Sequence, residues 1–158
     1  MSVITVLKRV DAHKLDLYRN SPDDLFERGG EEISIDKTGP GIVWLLSRDP
    51  AHVGLSSLLE GKGATKEMGL DDPSIMGPPV SLTVQQVKDV AALLESIGDD
   101  VLRSRYDPAV MTSELIYPWF WNDGGANAWE YLLVNFHQLR SFFSLASEAR
   151  QQVLIWWS

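Results

Sequence analysis

Apolar and polar positions change period several times along the chain, and each change marks an element. Val3 to Arg9 is β-rich and mostly apolar, with Val3, Thr5 and Leu7 alternating with Ile4, Val6 and Lys8. That pattern predicts a strand well inside a sheet, partly covered on both faces. Asp11 to Asn20 reads as a short helix with Asp11 at its N-cap and with Leu15 and Tyr18 on one face. Ser21-Pro22-Asp23-Asp24 is a second helix start, and Gly29-Gly30 is its expected end. It offers a hydroxyl to cap, a proline suited to the first helical position, and two acids at the positive end of the dipole. Ile33 to Ile35 is a short extended piece. Asp36 stands where the cap of the next helix is expected, with Gly39-Pro40-Gly41 disturbing its beginning. Ile42 to Leu46 is too apolar for a surface helix and is expected to be buried.

From Asp49 to Pro79 the pattern breaks down into Gly, Pro, Asp and Ser, with room for one or two helical turns over Leu55 to Leu59. A short strand over Pro79 to Leu82 leads into the clearest helix start in the chain. Thr83 and Gln86 have capping-box spacing, and Leu82 and Val87 are placed as a hydrophobic staple. Val87, Val90, Ala91 and Leu94 form the stripe of that helix, and Gly98 is its expected stop. Short helices follow over Asp99 to Arg105 and from Asp107-Pro108 to about Met111. Pro118 argues against a central strand in the aromatic run Ile116 to Trp121, and Asn122 to Gly125 is a turn cluster. The longest periodic segment runs from about Asn127 to Arg150, with Trp129, Leu132, Leu133, Phe136, Leu139, Phe143 and Ala146 on one face. Val153 to Trp157 closes the chain as a strand. The sum is a single α+β domain over residues 1–158, without internal repeats or a dividing linker.

Composition narrows the function classes. A chain of 158 residues with 44% hydrophobic and 23% charged positions has ordinary globular character. A formal net charge of -8 repels phosphate backbones, so no nucleic-acid partner is expected, whereas a basic protein partner suits it. The absence of cysteine excludes disulfides, thiolate nucleophiles and thiolate metal sites. No apolar stretch approaches the roughly 20 residues of a membrane span, and Met1 to Arg9 lacks signal-peptide features. The expected setting is the cytoplasm, with no membrane partner.

Candidate chemistry is sparse. His13, His52 and His137 are scattered, and none has a second imidazole at helical metal-site spacing, so neither a metal nor a cofactor is expected. His52, in the irregular region, is the one histidine placed where acid-base work is conceivable. Gly61-Lys62-Gly63-Ala64-Thr65 resembles a phosphate loop only in composition and lacks the Walker spacing. The adjacent acid pairs sit where caps and turns are expected, and no nucleophile elbow or calcium loop is present. The most unusual local feature is Tyr117 to Trp121, four aromatic side chains in five residues. Such a run either closes one end of the core or forms an aromatic contact site with Asp123 or Asn122 supplying polarity.

An ordered set of short motifs resembles the YfbM-like family of mainly bacterial proteins. The set comprises Asp36-Lys37 before Gly41 to Leu46, Ser81-Leu82-Thr83 with Val87, and Leu102 to Pro108 with Met111. Ile116-Tyr117-Pro118 and the ending Val153 to Ser158 complete it. The resemblance implies a small α+β protein whose N-terminal and C-terminal strands share a sheet, and it leaves function open, with immunity or interaction roles suspected for some relatives. Two departures stand out. Thr38-Gly39-Pro40 occupies the place where the family often has Trp-His, and Pro79-Val80 the place where it often has an arginine. Such changes lower the odds of a shared catalytic site.

Two readings follow. One is a non-enzymatic cytoplasmic binding protein, an immunity-type partner of a basic protein being one form of it. The other is an enzyme acting on a small ligand, with Asp36 as acid or base. The candidate contact residues are Asp36, Lys37, Tyr106, Tyr117, Trp119, Trp121 and Asp123, with no catalytic residue assigned and the oligomeric state open.

Overall fold

The computed structural model describes residues 2–27 and 31–158. The strands are β1 (Thr5–Val10), β2 (Glu32–Ser34), β3 (Thr65–Lys66), β4 (Val80–Leu82) and β5 (Gln152–Trp157). They form one antiparallel five-stranded sheet in the order β2-β1-β5-β4-β3. The two terminal strands do share a sheet, and the last is its centre. β5 pairs along its full length with β1, from Thr5 opposite Trp157 to Val10 opposite Gln152. Its other edge pairs with β4, with Val80 opposite Ile155 and Leu82 opposite Val153. Val153, Leu154, Ile155 and Trp156 are all buried, which explains an apolar run without alternation.

The helices are α1 (Ala12–Asn20), α2 (Gly39–Leu46), α3 (Val53–Ser56), α4 (Val84–Ser96), α5 (Asp99–Arg105), α6 (Pro108–Ser113) and α7 (Gly125–Glu148). The larger core lies on one sheet face, where Leu7, Val80, Leu82, Val153 and Ile155 meet the apolar sides of α2, α4 and α7. The smaller core lies on the other face. There Val10, Leu154 and Trp156 meet Leu15 and Tyr18 of α1, Leu25 of the 3-10 turn Pro22–Phe26, and Leu70 of the 3-10 turn Met68–Leu70.

Local chemistry sets most element starts. Asp11 accepts from Lys14 N at 2.7 Å and Asp107 from Val110 N at 3.1 Å, each capping the helix that follows. The capping box of α4 is complete: Gln86 N donates to Thr83 Oγ1 at 3.1 Å, and Thr83 N donates to Gln86 Oε1 at 2.9 Å. Other expectations are corrected. Ser21 makes no side-chain cap, and Pro22–Phe26 is a 3-10 turn; the expected stop at Gly29-Gly30 lies outside the described residues. Gly98 has φ -72 and begins α5 instead of forming a left-handed stop for α4. α7 ends at Glu148, because Arg150 takes the left-handed φ of 53 that glycine normally supplies. Gln151 N then donates to Ala146 O and Arg150 N to Ser147 O, a Schellman closure that turns the chain into β5. The irregular region holds more order than its composition suggests. It contains α3, β3 and 3-10 turns at Pro50–His52, Ser57–Glu60 and Met68–Leu70.

The second sheet face carries polar side chains that are paired. Lys8 donates to the carbonyls of Leu25 and Glu27 at 3.1 and 3.3 Å, and its ammonium stands 5.1 Å from the Tyr18 ring centre. Glu67 is held by Arg19 through Nε at 3.0 Å and Nη2 at 2.8 Å, and by Ser81 Oγ at 2.7 Å. A bidentate guanidinium is a strong partner for a buried carboxylate. It ties the end of β3 to α1 and β4.

Two outcomes test this construction. Deleting residues 153–158 removes four buried side chains worth roughly 1.5–3 kcal/mol each, about 6–12 kcal/mol together. That matches the net stability of a whole domain, so cooperative thermal unfolding should vanish; a deletion variant with an unchanged melt would contradict the topology. Arg19 and then Ser81, by hydrogen bonding, hold the Glu67 carboxyl below its ordinary value, against the opposing effect of burial. A depressed carboxylate contributes stability that is present above the unfolded-state value and lost as pH falls through the folded one. Denaturant titrations between pH 6 and 3 should therefore show a steeper acid loss in the native chain than in Glu67→Gln.

Candidate functional site

The connection from α6 to α7 is built around aromatic side chains, each held differently. The Tyr117–Pro118 peptide is cis, and Trp119 N donates to Ile116 O at 3.0 Å, which makes a tight type VI turn. Trp121 folds inward. Its indole donates to Ile116 O at 2.9 Å and lies over α2 so closely that a Cβ on Gly41 would stand 2.7 Å from the ring. Gly39 is needed for a similar reason, since a Cβ there would stand 2.7 Å from Thr5 Oγ1. The Gly-Pro-Gly sequence therefore does not disturb α2; it forms the first turn and lets it sit against sheet and indole. Trp121 has no exposed surface and offers nothing for a partner to touch.

Trp119 does the reverse. It has φ 74 and is 55% exposed, its indole donating to Leu115 O at 2.9 Å. Leu115 has φ 58 and is 74% exposed. Tyr117 links this surface to the rest of the fold. Its ring meets Trp119 edge to face at 5.1 Å, and its hydroxyl accepts from Val3 N at 2.9 Å. The loop is further tied by Ile116 N to Met111 O, by Asn122 N to Thr112 Oγ1 and by Gly124 N to Phe120 O. Asp123 is exposed in the turn before α7.

Asp36 does not cap a helix. It begins a 3-10 turn with φ 49, its own N–H donates to Ser34 Oγ at 3.1 Å, and its carboxylate accepts from Tyr131 Oη at 2.5 Å. Tyr131 Oη in turn accepts from Lys37 N at 3.3 Å. Burial first, and then the Asp36 hydrogen bond, push the Tyr131 phenol up to about 12, so it stays protonated at neutral pH. The Tyr131 ring lies 6.0 Å from Phe120, which stacks on Trp121 at 5.2 Å. The group is thus a latch between α7, the start of α2 and the aromatic loop.

Tyr106 belongs elsewhere. It packs on Trp129 at 5.0 Å, with the Arg103 guanidinium over both rings, and its buried hydroxyl makes no hydrogen bond among the described residues. Burial raises its pKa, opposed by Arg103. The structure therefore brings Asp36 and the Lys37 N–H to Tyr131, pairs Tyr117 with Trp119 in the loop, and leaves Tyr106 apart. Sequence reading passed over Tyr131 and Leu115. Tyr131 could have been found as a hydroxyl beside the apolar stripe of α7, but Leu115 carries no local signal.

Three clefts in the structure are lined by none of the seven candidates. Among the described residues no cluster of three or more His, Asp or Glu is placed to hold a metal ion, and no helix is long and apolar enough to cross a membrane. His52 lies 3.8 Å from Asp49. Gly61-Lys62-Gly63 turns through two left-handed glycines into β3, without the strand-to-helix passage of a phosphate loop.

The latch makes a spectroscopic prediction. Followed at 295 nm, Tyr131 should ionise in a late step near pH 12, and Tyr131→Phe should remove that step. Asp36→Asn should lower it, while burial keeps it above the usual phenol value. An unchanged late step in both variants would show that the latch is not formed.

Comparison with known proteins agrees with the architecture. A family model described as a domain of unknown function (DUF1877) matches residues 1–156. The crystal structure of YfbM, a protein of unknown function from Escherichia coli, superposes with a TM-score of 0.69 at 18% identity, covering 98% of this chain and 99% of that one. That likeness concerns the fold. No curated protein matches the sequence.

Proposed function

The chain belongs to the DUF1877 family of unknown function, and from that premise we propose that it is a non-enzymatic, cytoplasmic protein-binding module whose contact surface is the loop between α6 and α7. One observation carries the reading: Leu115 and Trp119, both non-glycine residues in left-handed backbone, are the exposed large apolar side chains of an otherwise well-bonded loop. Such conformations cost about 1–3 kcal/mol each and persist where the surroundings over-determine them, often at binding sites. A tryptophan held rigid before binding is the kind of anchor that dominates interface energies, because little freedom is lost on contact.

Charge supports a basic protein partner. The chain carries a formal -8, and the loop is bracketed by two exposed acidic residues, Asp123 and Glu114, the latter's carboxylate accepting from Trp44 Nε1 at 2.6 Å. Complementary charge raises association rates and orients the encounter, while buried aromatic contact supplies affinity. Asp36 is satisfied by Tyr131, so the loop and not the carboxylate is the contact group we favour over a small-ligand active site.

A photo-crosslinking amino acid in place of Trp119 should give one dominant adduct in native lysate, weakened by high salt. The same group in place of Val134, which is exposed on α7, should give none. Trp119→Ala should leave the melting temperature unchanged and weaken the isolated complex by about 2 kcal/mol or more. Equal adducts from both positions, or none from position 119, would overturn the reading.

A further inference from the structure

The loop between α6 and α7 carries an indole without a cation beside carboxylates without one. Trp119 is 55% exposed, and Tyr117 meets it at 89° with ring centres 5.1 Å apart, so Tyr117 takes at most one face of the indole. Among the described residues no arginine or lysine stands over the Trp119 ring. Elsewhere the chain makes that contact itself. The Arg48 guanidinium lies 3.9 Å from the Trp44 ring centre, and that of Arg103 lies 5.0 Å from that of Trp129. Glu114 directly precedes Leu115, whose carbonyl accepts from the Trp119 indole at 2.9 Å. One Glu114 oxygen accepts from Trp44 Nε1 at 2.6 Å, and the other makes no hydrogen bond among the described residues. Arg48 is committed to Trp44, its Nε donating to Trp44 O at 3.2 Å. Neither Glu114 nor Asp123 forms an ion pair with it or with any other described residue.

We propose that the anchor this loop takes from its basic partner is an arginine side chain, stacked on the open face of Trp119 with its donors turned to Glu114. The inference rests on the protein-binding reading and names the group that is bound. A guanidinium is planar and weakly hydrated, so it lies flat on an indole while its in-plane N–H groups stay free for a carboxylate. A lysine ammonium is a compact, strongly hydrated charge with no flat face to stack. An apolar anchor would cover the indole and leave both acids uncompensated. An anionic one would be repelled by them and by the formal -8 of the chain. Both receiving groups are held before contact, the carboxylate by Trp44 and the indole by Leu115, so little side-chain freedom is lost on binding.

The experiment follows the Trp119 indole N–H resonance of the isotope-labelled full chain, assigned by its loss in Trp119→Leu. The probes are the N-acetyl methylamides of arginine, lysine and citrulline at physiological salt. The arginine derivative should shift the resonance, and the Leu115 amide, in a saturable way. The lysine derivative, and the planar but uncharged citrulline derivative, should each bind about fivefold more weakly, the scale of an exposed cation–π contact. Glu114→Gln keeps an acceptor for Trp44 and removes the charge. It should weaken arginine binding about threefold, as for an exposed ion pair, with an unchanged melting temperature. Trp119→Leu should abolish the shift at Leu115. Absence of shifts with the arginine derivative overturns the proposal. So does equal binding of lysine or citrulline, or binding indifferent to both substitutions. Any of these results beside a cross-linked adduct from position 119 leaves the protein-binding surface standing and removes its arginine anchor. Arginine-specific shifts without an adduct keep the guanidinium site and remove the protein partner.

Discussion

Everything in this fold waits on β5. The final strand pairs with the first on one side and with β4 on the other, so the sheet has no centre until the last residues are in place. Its side chains also divide between two cores, Val153 and Ile155 on the face covered by α2, α4 and α7, Leu154 and Trp156 on the face covered by α1. Neither core closes without it. Contacts of such sequence separation carry a large loop-closure cost before they return any stabilisation. Helices α4 and α7, whose stripes are readable from sequence alone, are the natural support on which that late pairing can be completed.

The same constraint explains the polar groups beneath α1. Lys8 and Ser81 lie on strands either side of β5, each opposite Leu154. Covering that face buries both, and a buried polar group without a partner costs more than the partner gains. Lys8 finds two carbonyls in the turn after α1, and Ser81 donates to a carboxylate that Arg19 holds with two bonds. The smaller core is therefore specified by directional contacts as well as by apolar area. Those contacts fix where the irregular segment between α3 and β4 must lie.

What could be read from sequence divides by distance. Asp11, Asp107 and the Thr83–Gln86 box were legible because cap and recipient are within three residues. The stripe of α7 and the apolar run of β5 were legible for the same local reason. Asp36 looked like another cap, yet its carboxylate reaches Tyr131, 95 residues away, and no local pattern encodes that. Gly98 and Arg150 reverse the usual glycine rule, one extended and one left-handed, because tertiary packing overrides backbone preference at single positions. At the candidate loop the aromatic density was plain, but the inward turn of Trp121 depends on the missing side chain at Gly41, which only the packing of α2 reveals.

That inward turn sharpens the meaning of its neighbour. Of the six tryptophans, Trp44, Trp121 and Trp156 are buried, Trp129 and Trp157 pack against the larger core, and Trp119 alone is exposed. A scattered exposed apolar residue is ordinary on any protein surface. Trp119 is not ordinary, because its backbone occupies a region that side chains of its size avoid, and so does that of Leu115 beside it. Folding alone would favour glycine or asparagine at both positions, since either relaxes the backbone without removing any core contact. Large apolar side chains at two strained, solvent-facing positions therefore add cost without adding to the core. Under the proposed function the compensating contact comes from a partner, and the hydrogen bonds from Trp119 to Ile116 and Leu115 keep the indole in place for it.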